Sequence, residues 1–149
     1  MKEHLWRNSM KFSTKLSDAV HILLFIYLNK ESRLASDQIA VSICTNPSYV
    51  RRLMAEMKNA GLISSARGQA NPVLKRSPDS ITLLEVYRAV EGRKPLLHLD
   101  THTNPECGVG VNIQLALQEH YDKIQETAEA AMEAISLQDI LNTYYQRLS

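Results

Sequence analysis

Ser48, Tyr49, Arg51 and Arg52 follow directly on an Asn46-Pro47 pair, and this spacing suits the recognition of a polyanion. An arginine fork matches guanine O6 and N7 bidentately, whereas serine and tyrosine hydroxyls more often hold phosphate. Asn46-Pro47 supplies the helix start these residues need. An Asn side chain accepts an orphan backbone N–H at the N-cap, and Pro loses nothing at the first helical position. The partial positive charge and free N–H groups of that terminus favour phosphate. Arg67 and Gln69 lie in a second polar segment, Arg67-Gly68-Gln69-Ala70-Asn71-Pro72, whose turn formers mark a hairpin tip able to reach adjacent backbone or minor groove. The plainer alternative is a solvated basic face used only for protein contact.

A second group, His98, Asp100, His102 and Cys107, invites a zinc reading, since alternation places 98, 100 and 102 on one face of an extended strand. No ligand pair of the C-x-x-C or H-x-x-x-H kind supports it, and no metal is expected. A Cys-His hydrolase lacks its glycine-rich oxyanion turn, so the chain is not expected to be an enzyme. Cys107 precedes the N-terminus of a long helix, where free N–H groups favour anionic sulfur, and it is the candidate redox sensor. Cys44, beside Ile43 at the end of a short helix, is expected in the core. Two cysteines cannot supply a disulfide framework or, alone, a four-thiolate cage.

The elements that carry these residues follow from apolar spacing. Lys11 to Asn29 reads as a helix apolar over most of its circumference, and Ser36 to Cys44 as a short helix capped by Ser36. Pro47 to Ala60 is a third helix with Val50, Leu53, Met54 and Met57 inside, stopped by Gly61. Leu62 to Ala66 and Val73 to Arg76 form a hairpin. Thr82-Leu83-Leu84-Glu85 is a capping box that opens a helix ending at Glu91-Gly92. Residues 93 to 107 form a loop. From Val109 to Ile135 a long helix carries a narrow seam, Ile113, Leu117, His120, Ile124, Ala128, Ala131 and Ile135, suited to one partner helix. His120 fits a polar pair in that interface. Ser136, with Asp139 three residues on, starts a last helix.

Composition sets the limits. The chain has 149 residues, 44% of them hydrophobic, and a formal net charge of +1. That near-neutral total hides an uneven chain: 12 Lys/Arg against 5 Asp/Glu up to Arg76, then 5 against 11 from Ser77. A basic half suits an anionic polymer and an acidic half suits water or protein. The longest apolar run, Ile22 to Leu28, falls far short of the ~18 residues of a membrane span. The polar start, residues 1 to 9, does not read as a signal peptide. A cytoplasmic protein is expected, with no membrane partner.

Three helices and a hairpin in that order make a winged helix-turn-helix, whose third helix enters the major groove. At Lys15-Leu16-Ser17-Asp18-Ala19-Val20, Ile39-Ala40 and Asn46-Pro47-Ser48-Tyr49-Val50-Arg51-Arg52-Leu53 the chain resembles the Rrf2 family of bacterial transcription regulators. The resemblance extends through Ala60-Gly61-Leu62-Ile63-Ser64-Ser65-Ala66-Arg67-Gly68 and Ile81-Thr82-Leu83-Leu84-Glu85-Val86-Tyr87-Arg88-Ala89-Val90-Glu91-Gly92. It implies a winged-helix homodimer whose long helix crosses to the partner, binding double-stranded DNA at a specific operator and usually acting as a repressor. Two departures stand out. Ala70-Asn71-Pro72-Val73 replaces the family's Gly-Gly-Tyr in the wing, and Cys107 stands alone where iron–sulfur members carry three cysteines. A cluster takes about four protein ligands, so none is expected.

The expected chain is thus mainly α with a small β-hairpin. An extension occupies 1–9 and a winged helix-turn-helix domain 10–92. A connecting or sensor loop fills 93–108, with a long dimerisation helix and a final helix in 109–149. The expected function is a dimeric, sequence-specific regulator of a pseudo-palindromic operator, with Ser48, Tyr49, Arg51, Arg52, Arg67 and Gln69 at the DNA and Cys107 open to thiol oxidation. The alternative is a winged-helix protein-interaction module without specific DNA binding.

Overall fold

A computed structural model describes residues 13–31, 36–65 and 71–149. Two compact units are present, one of residues up to Arg76 with Ala89–Glu91, the other of Ser77–Arg88 with Gly92–Ser149. No helix among the described residues is long and apolar enough to cross a membrane.

The first unit opens with α1, Lys15–Leu28, whose Ala19, Ile22, Leu23 and Ile26 are buried at the spacing of one helical face. It starts later than Lys11. Residues 11 and 12 lie outside the described residues, and Ser13 and Thr14 precede the helix. Helix α2, Ser36–Ser42, buries Ile39 and Ala40. Ser36 is itself helical, and residues 32–35 before it lie outside the described residues.

Cys44 departs from expectation. It is exposed, and it holds φ +52 in the turn that follows α2. The chain reverses there: Cys44 N–H donates to the Val41 carbonyl at 3.2 Å and Thr45 N–H to the Ala40 carbonyl at 2.9 Å. A left-handed residue in that turn points its side chain away from the face that Ile39 and Ala40 bury.

Helix α3 runs Pro47–Asn59 and buries Val50, Leu53 and Met57, while Met54 is only half-buried. Asn46 caps it, its Oδ1 accepting the Tyr49 N–H at 2.8 Å. Gly61, at φ +76, closes it. Gly61 N–H donates to the Lys58 carbonyl and Leu62 N–H to the Met57 carbonyl, which satisfies two orphan acceptors and turns the chain into the wing. Two short antiparallel strands follow, β1 (Ile63–Ser64) and β2 (Val73–Leu74), with Ile63 opposite Leu74 and Ser64 opposite Val73. The hairpin is present, with strands shorter than the sequence pattern suggests.

The second unit begins with a 3₁₀ turn, Pro78–Ser80. Next comes α4, Leu83–Glu91, which belongs to this unit as far as Arg88 and whose capping box forms as expected: Glu85 N–H to Thr82 Oγ1 at 3.2 Å, and Thr82 N–H to Glu85 Oε2 at 2.9 Å. Helix α5 spans Gly108–Glu133, and α6, Leu137–Leu148, starts on a second capping box made by Ser136 and Asp139. Helix α5 stops short of Ile135 because that residue is drawn into a bridge. Leu83 N–H donates to the Ile135 carbonyl at 2.8 Å, and Leu137 N–H to the Ile81 carbonyl at 2.9 Å. Ile81, Val86, Leu137 and Leu141 are fully buried, whereas α5 buries no residue at all.

Candidate nucleic-acid interface

The first turns of α3 gather four of the six residues expected at DNA. Ser48, Arg51 and Arg52 are exposed and Tyr49 is half-buried. The two arginines rest on different supports. Arg51 Nη2 donates to Ser48 Oγ at 3.2 Å. Arg52 lies over the Tyr49 ring, its guanidinium carbon 5.3 Å from the ring centroid, within reach of a cation–π attraction. Tyr49 is itself fixed at both ends, its backbone N–H on Asn46 and its hydroxyl donating to Asp18 Oδ2 at 2.9 Å. The same carboxylate oxygen accepts from Thr14 Oγ1 at 3.2 Å. Burial first, then the Asp18 hydrogen bond and charge, push the Tyr49 phenol up to about 12, against smaller opposing effects of Thr14 and Arg52. It is therefore a donor at any physiological pH.

These residues border an open concavity of about 710 Å³, whose lining includes Asp18, Cys44, Asn46, Ser48, Tyr49 and Arg52. A smaller groove of about 220 Å³ lies along the other side of α3, lined by Ser36, Arg51, Lys58, Ile63 and Ser65. Lys58 Nζ donates to the Ser65 carbonyl at 3.1 Å, placing a second cation beside the first strand of the wing. Arg67 and Gln69 lie outside the described residues. Two participants escaped the sequence analysis as site residues. Lys58 lies seven residues beyond Arg51, two helical turns, and that spacing was a readable signal. Asp18 lies 31 residues from Tyr49, and no local pattern pairs them.

In the second unit Cys107 is the N-cap of α5, exposed, its Sγ accepting the Gly110 N–H at 3.4 Å. Residues 98 to 102 lie in no strand, as the expected loop has it, and Asp100 turns locally onto His102. Asp100 Oδ1 accepts the His102 N–H at 2.9 Å and lies 3.1 Å from His102 Nδ1. The backbone bond first, then the side-chain one, hold the Asp100 carboxyl below its usual range.

The geometry can be set beside known proteins. A family profile described as Rrf2, iron-dependent transcriptional regulator, matches residues 12–143. YwnA of Bacillus subtilis (strain 168), named as an HTH-type transcriptional regulator, is 38% identical over 130 residues, 87% of this chain and 96% of that protein. The HTH-type transcriptional regulator CymR of the same organism is 26% identical over 133 residues, 88% of this chain and 89% of that protein. A crystal structure described as a DNA-binding protein matches with a TM-score of 0.69 at 36% identity, covering 85% of this chain and 98% of that one. The structure of CymR, the global cysteine regulator of B. subtilis, shares the fold with a TM-score of 0.63 at 24% identity, over 88% of this chain and 95% of that one.

The iron in the family description calls for a donor set. Among the described residues no three His, Cys, Asp or Glu side chains gather into a metal-holding group. Cys107 Sγ is engaged with the Gly110 backbone N–H.

Proposed function

The chain belongs to the Rrf2 family of helix-turn-helix transcription regulators, and on that premise we propose that it acts in the cytoplasm as a homodimeric repressor reading a pseudo-palindromic operator. The observation that carries the reading is the pair of supported, outward arginines on the capped start of α3. A helix N-terminus with Arg51 on Ser48 and Arg52 on Tyr49 offers two forks to base edges or phosphates with little left to order. Arg67 and Gln69 of the wing are assigned the flanking backbone or minor groove. Lys58 joins them as a phosphate contact.

The homodimer is supported by α5. Of the seam on α5, Ile113, Leu117 and Ile124 are 59%, 37% and 48% exposed in the isolated chain, and water is a poor neighbour for a seam of that kind. A second copy repeats α3 at a two-fold-related position, as a palindromic site requires. The proposal includes no iron–sulfur cluster and no catalytic activity. Cys107, the exposed cap of α5, is the residue we assign to a response to thiol oxidation.

Selection of bound duplexes from a random-sequence pool, followed by competition gel shifts in ~100 mM salt, tests the reading. A regulator enriches one two-fold-symmetric sequence that unselected DNA does not displace. Arg52→Ala should then lose about 1–3 kcal/mol on that sequence and relax preference at one position per half-site. An equal loss on every sequence with a shallower salt dependence would make Arg52 a phosphate contact. A pool that never enriches would leave only a protein-interaction module.

A further inference from the structure

The two neighbouring arginines differ in what holds them, and the difference reaches back to α1. Arg51 leans on Ser48, its own neighbour on α3. Arg52 leans on the face of Tyr49, whose hydroxyl donates to Asp18 of α1, where Thr14 also donates. Thr14 is tied in turn, its carbonyl accepting the Asp18 N–H at 2.9 Å. The Tyr49 ring is thus clamped between a backbone cap on α3 and a carboxylate on α1. An arginine on a fixed aromatic plane keeps its fork pre-set, so less side-chain freedom is lost when it meets a base.

Resting on the reading of α3 as the DNA-reading helix, we propose that Tyr49 and Asp18 are positioning residues for sequence discrimination: they act through Arg52 and not through contacts of their own with the duplex. The Tyr49 hydroxyl already has a strong charged acceptor, so giving it to a phosphate would mean breaking a bond that costs nothing to keep. Discrimination, the ratio of affinity for the selected sequence to affinity for random DNA, is the quantity the clamp controls. Non-specific affinity comes from charge and is left largely alone.

The experiment is a set of double-mutant cycles read as that ratio by fluorescence anisotropy on the selected and a scrambled duplex. Tyr49→Phe keeps the ring under Arg52 and removes only the bond to Asp18. It should lower the ratio by about five-fold, with affinity for scrambled DNA nearly unchanged. The same change should persist in an Arg51→Ala background and vanish in an Arg52→Ala background. Asp18→Ala should reproduce Tyr49→Phe, and Asp18→Asn, which leaves an oxygen to accept, should restore most of the ratio. An effect of Tyr49→Phe that survives undiminished in Arg52→Ala overturns the proposal, as does an equal loss on both duplexes, which would mark a direct phosphate contact. A wild-type protein that binds both duplexes equally overturns the reading of α3 itself. That outcome is visible before any variant is made.

Discussion

Helices α3 and α5 both start on a side-chain cap, yet they divide their surfaces in opposite ways. Helix α3 buries Val50, Leu53 and Met57 within its own unit and turns Ser48, Arg51 and Arg52 outward. Helix α5, twice as long at 26 residues against 13, buries nothing and leaves Val109, Ile113, Leu115 and Ile124 exposed. The first helix is complete without a partner of its own kind and needs a ligand only for its polar face. The second exposes an apolar seam, Ile113 and Ile124 within it, which the proposed dimer would cover. On that proposal one chain separates reading from assembly by giving each its own helix.

The contrast breaks most readily at α5. Ile113→Glu combined with Ile124→Glu would put four carboxylates into the proposed two-fold interface, where each isoleucine would otherwise contribute about 1.5–3 kcal/mol. Dimer affinity should fall at least ~100-fold, measured by sedimentation equilibrium, while the circular dichroism of each chain is kept. A dimer that survives the double change would mean that another surface assembles the protein.

Leu53→Ala on α3 should act in the reverse sense. Leu53 is fully buried, and its truncation should cost about 2–5 kcal/mol of unfolding free energy at any protein concentration. Ile113→Ala on α5 should lower the thermal midpoint in a manner that depends on concentration, because only the proposed association would bury it. Concentration-independent loss at both positions would erase the distinction between the two helices.

Local chemistry was legible in the sequence, and contacts between distant segments were not. Asn46-Pro47, Thr82 with Glu85 and Ser136 with Asp139 each satisfy backbone groups within four residues, so their spacing alone identifies them. Gly61 as a helix stop belongs to the same class. Cys44 misled, because its neighbour Ile43 suggested a core position while the turn after Ser42 required a left-handed residue. The bridge that joins Ile81–Leu83 to Ile135–Leu137 decides where α5 ends, and it depends on pairing across more than fifty residues. The site divides the same way. The arginines were visible as a doublet, but their unequal supports were not, since Asp18 becomes Tyr49's partner only through the packing of α1 on α3.

A smaller effect separates the two caps. Asn46 offers a full amide oxygen at 2.8 Å, and Asn46→Ala should cost about 1 kcal/mol in chemical denaturation. Cys107 offers a sulfur at 3.4 Å, a weak acceptor, and Cys107→Ala should cost only a few tenths of a kcal/mol, about what a surface change costs. Equal losses would show that the sulfur does more at the start of α5 than close one N–H.

The finest distinction is carried by one phenol. Tyr49 is raised to about 12 from an ordinary value of 10.0, by burial first and by Asp18 next. Below pH 10 the folded and unfolded chains both keep this proton, so it adds no pH dependence. Between about 10 and 12 the unfolded chain releases the proton while the folded chain retains it, and the associated stability is lost as pH rises through that window. The half-exposed setting keeps the effect small, so the clearer measurement is the ultraviolet absorbance of phenolate during a base titration of the folded protein. A phenolate step near 12 should appear in that titration. Tyr49→Phe should delete that step, and Asp18→Asn should move it downward by removing a neighbouring negative charge. If the step near 12 persists in Tyr49→Phe, it does not report the clamp between α1 and α3, and the separate support of Arg52 loses its physical basis.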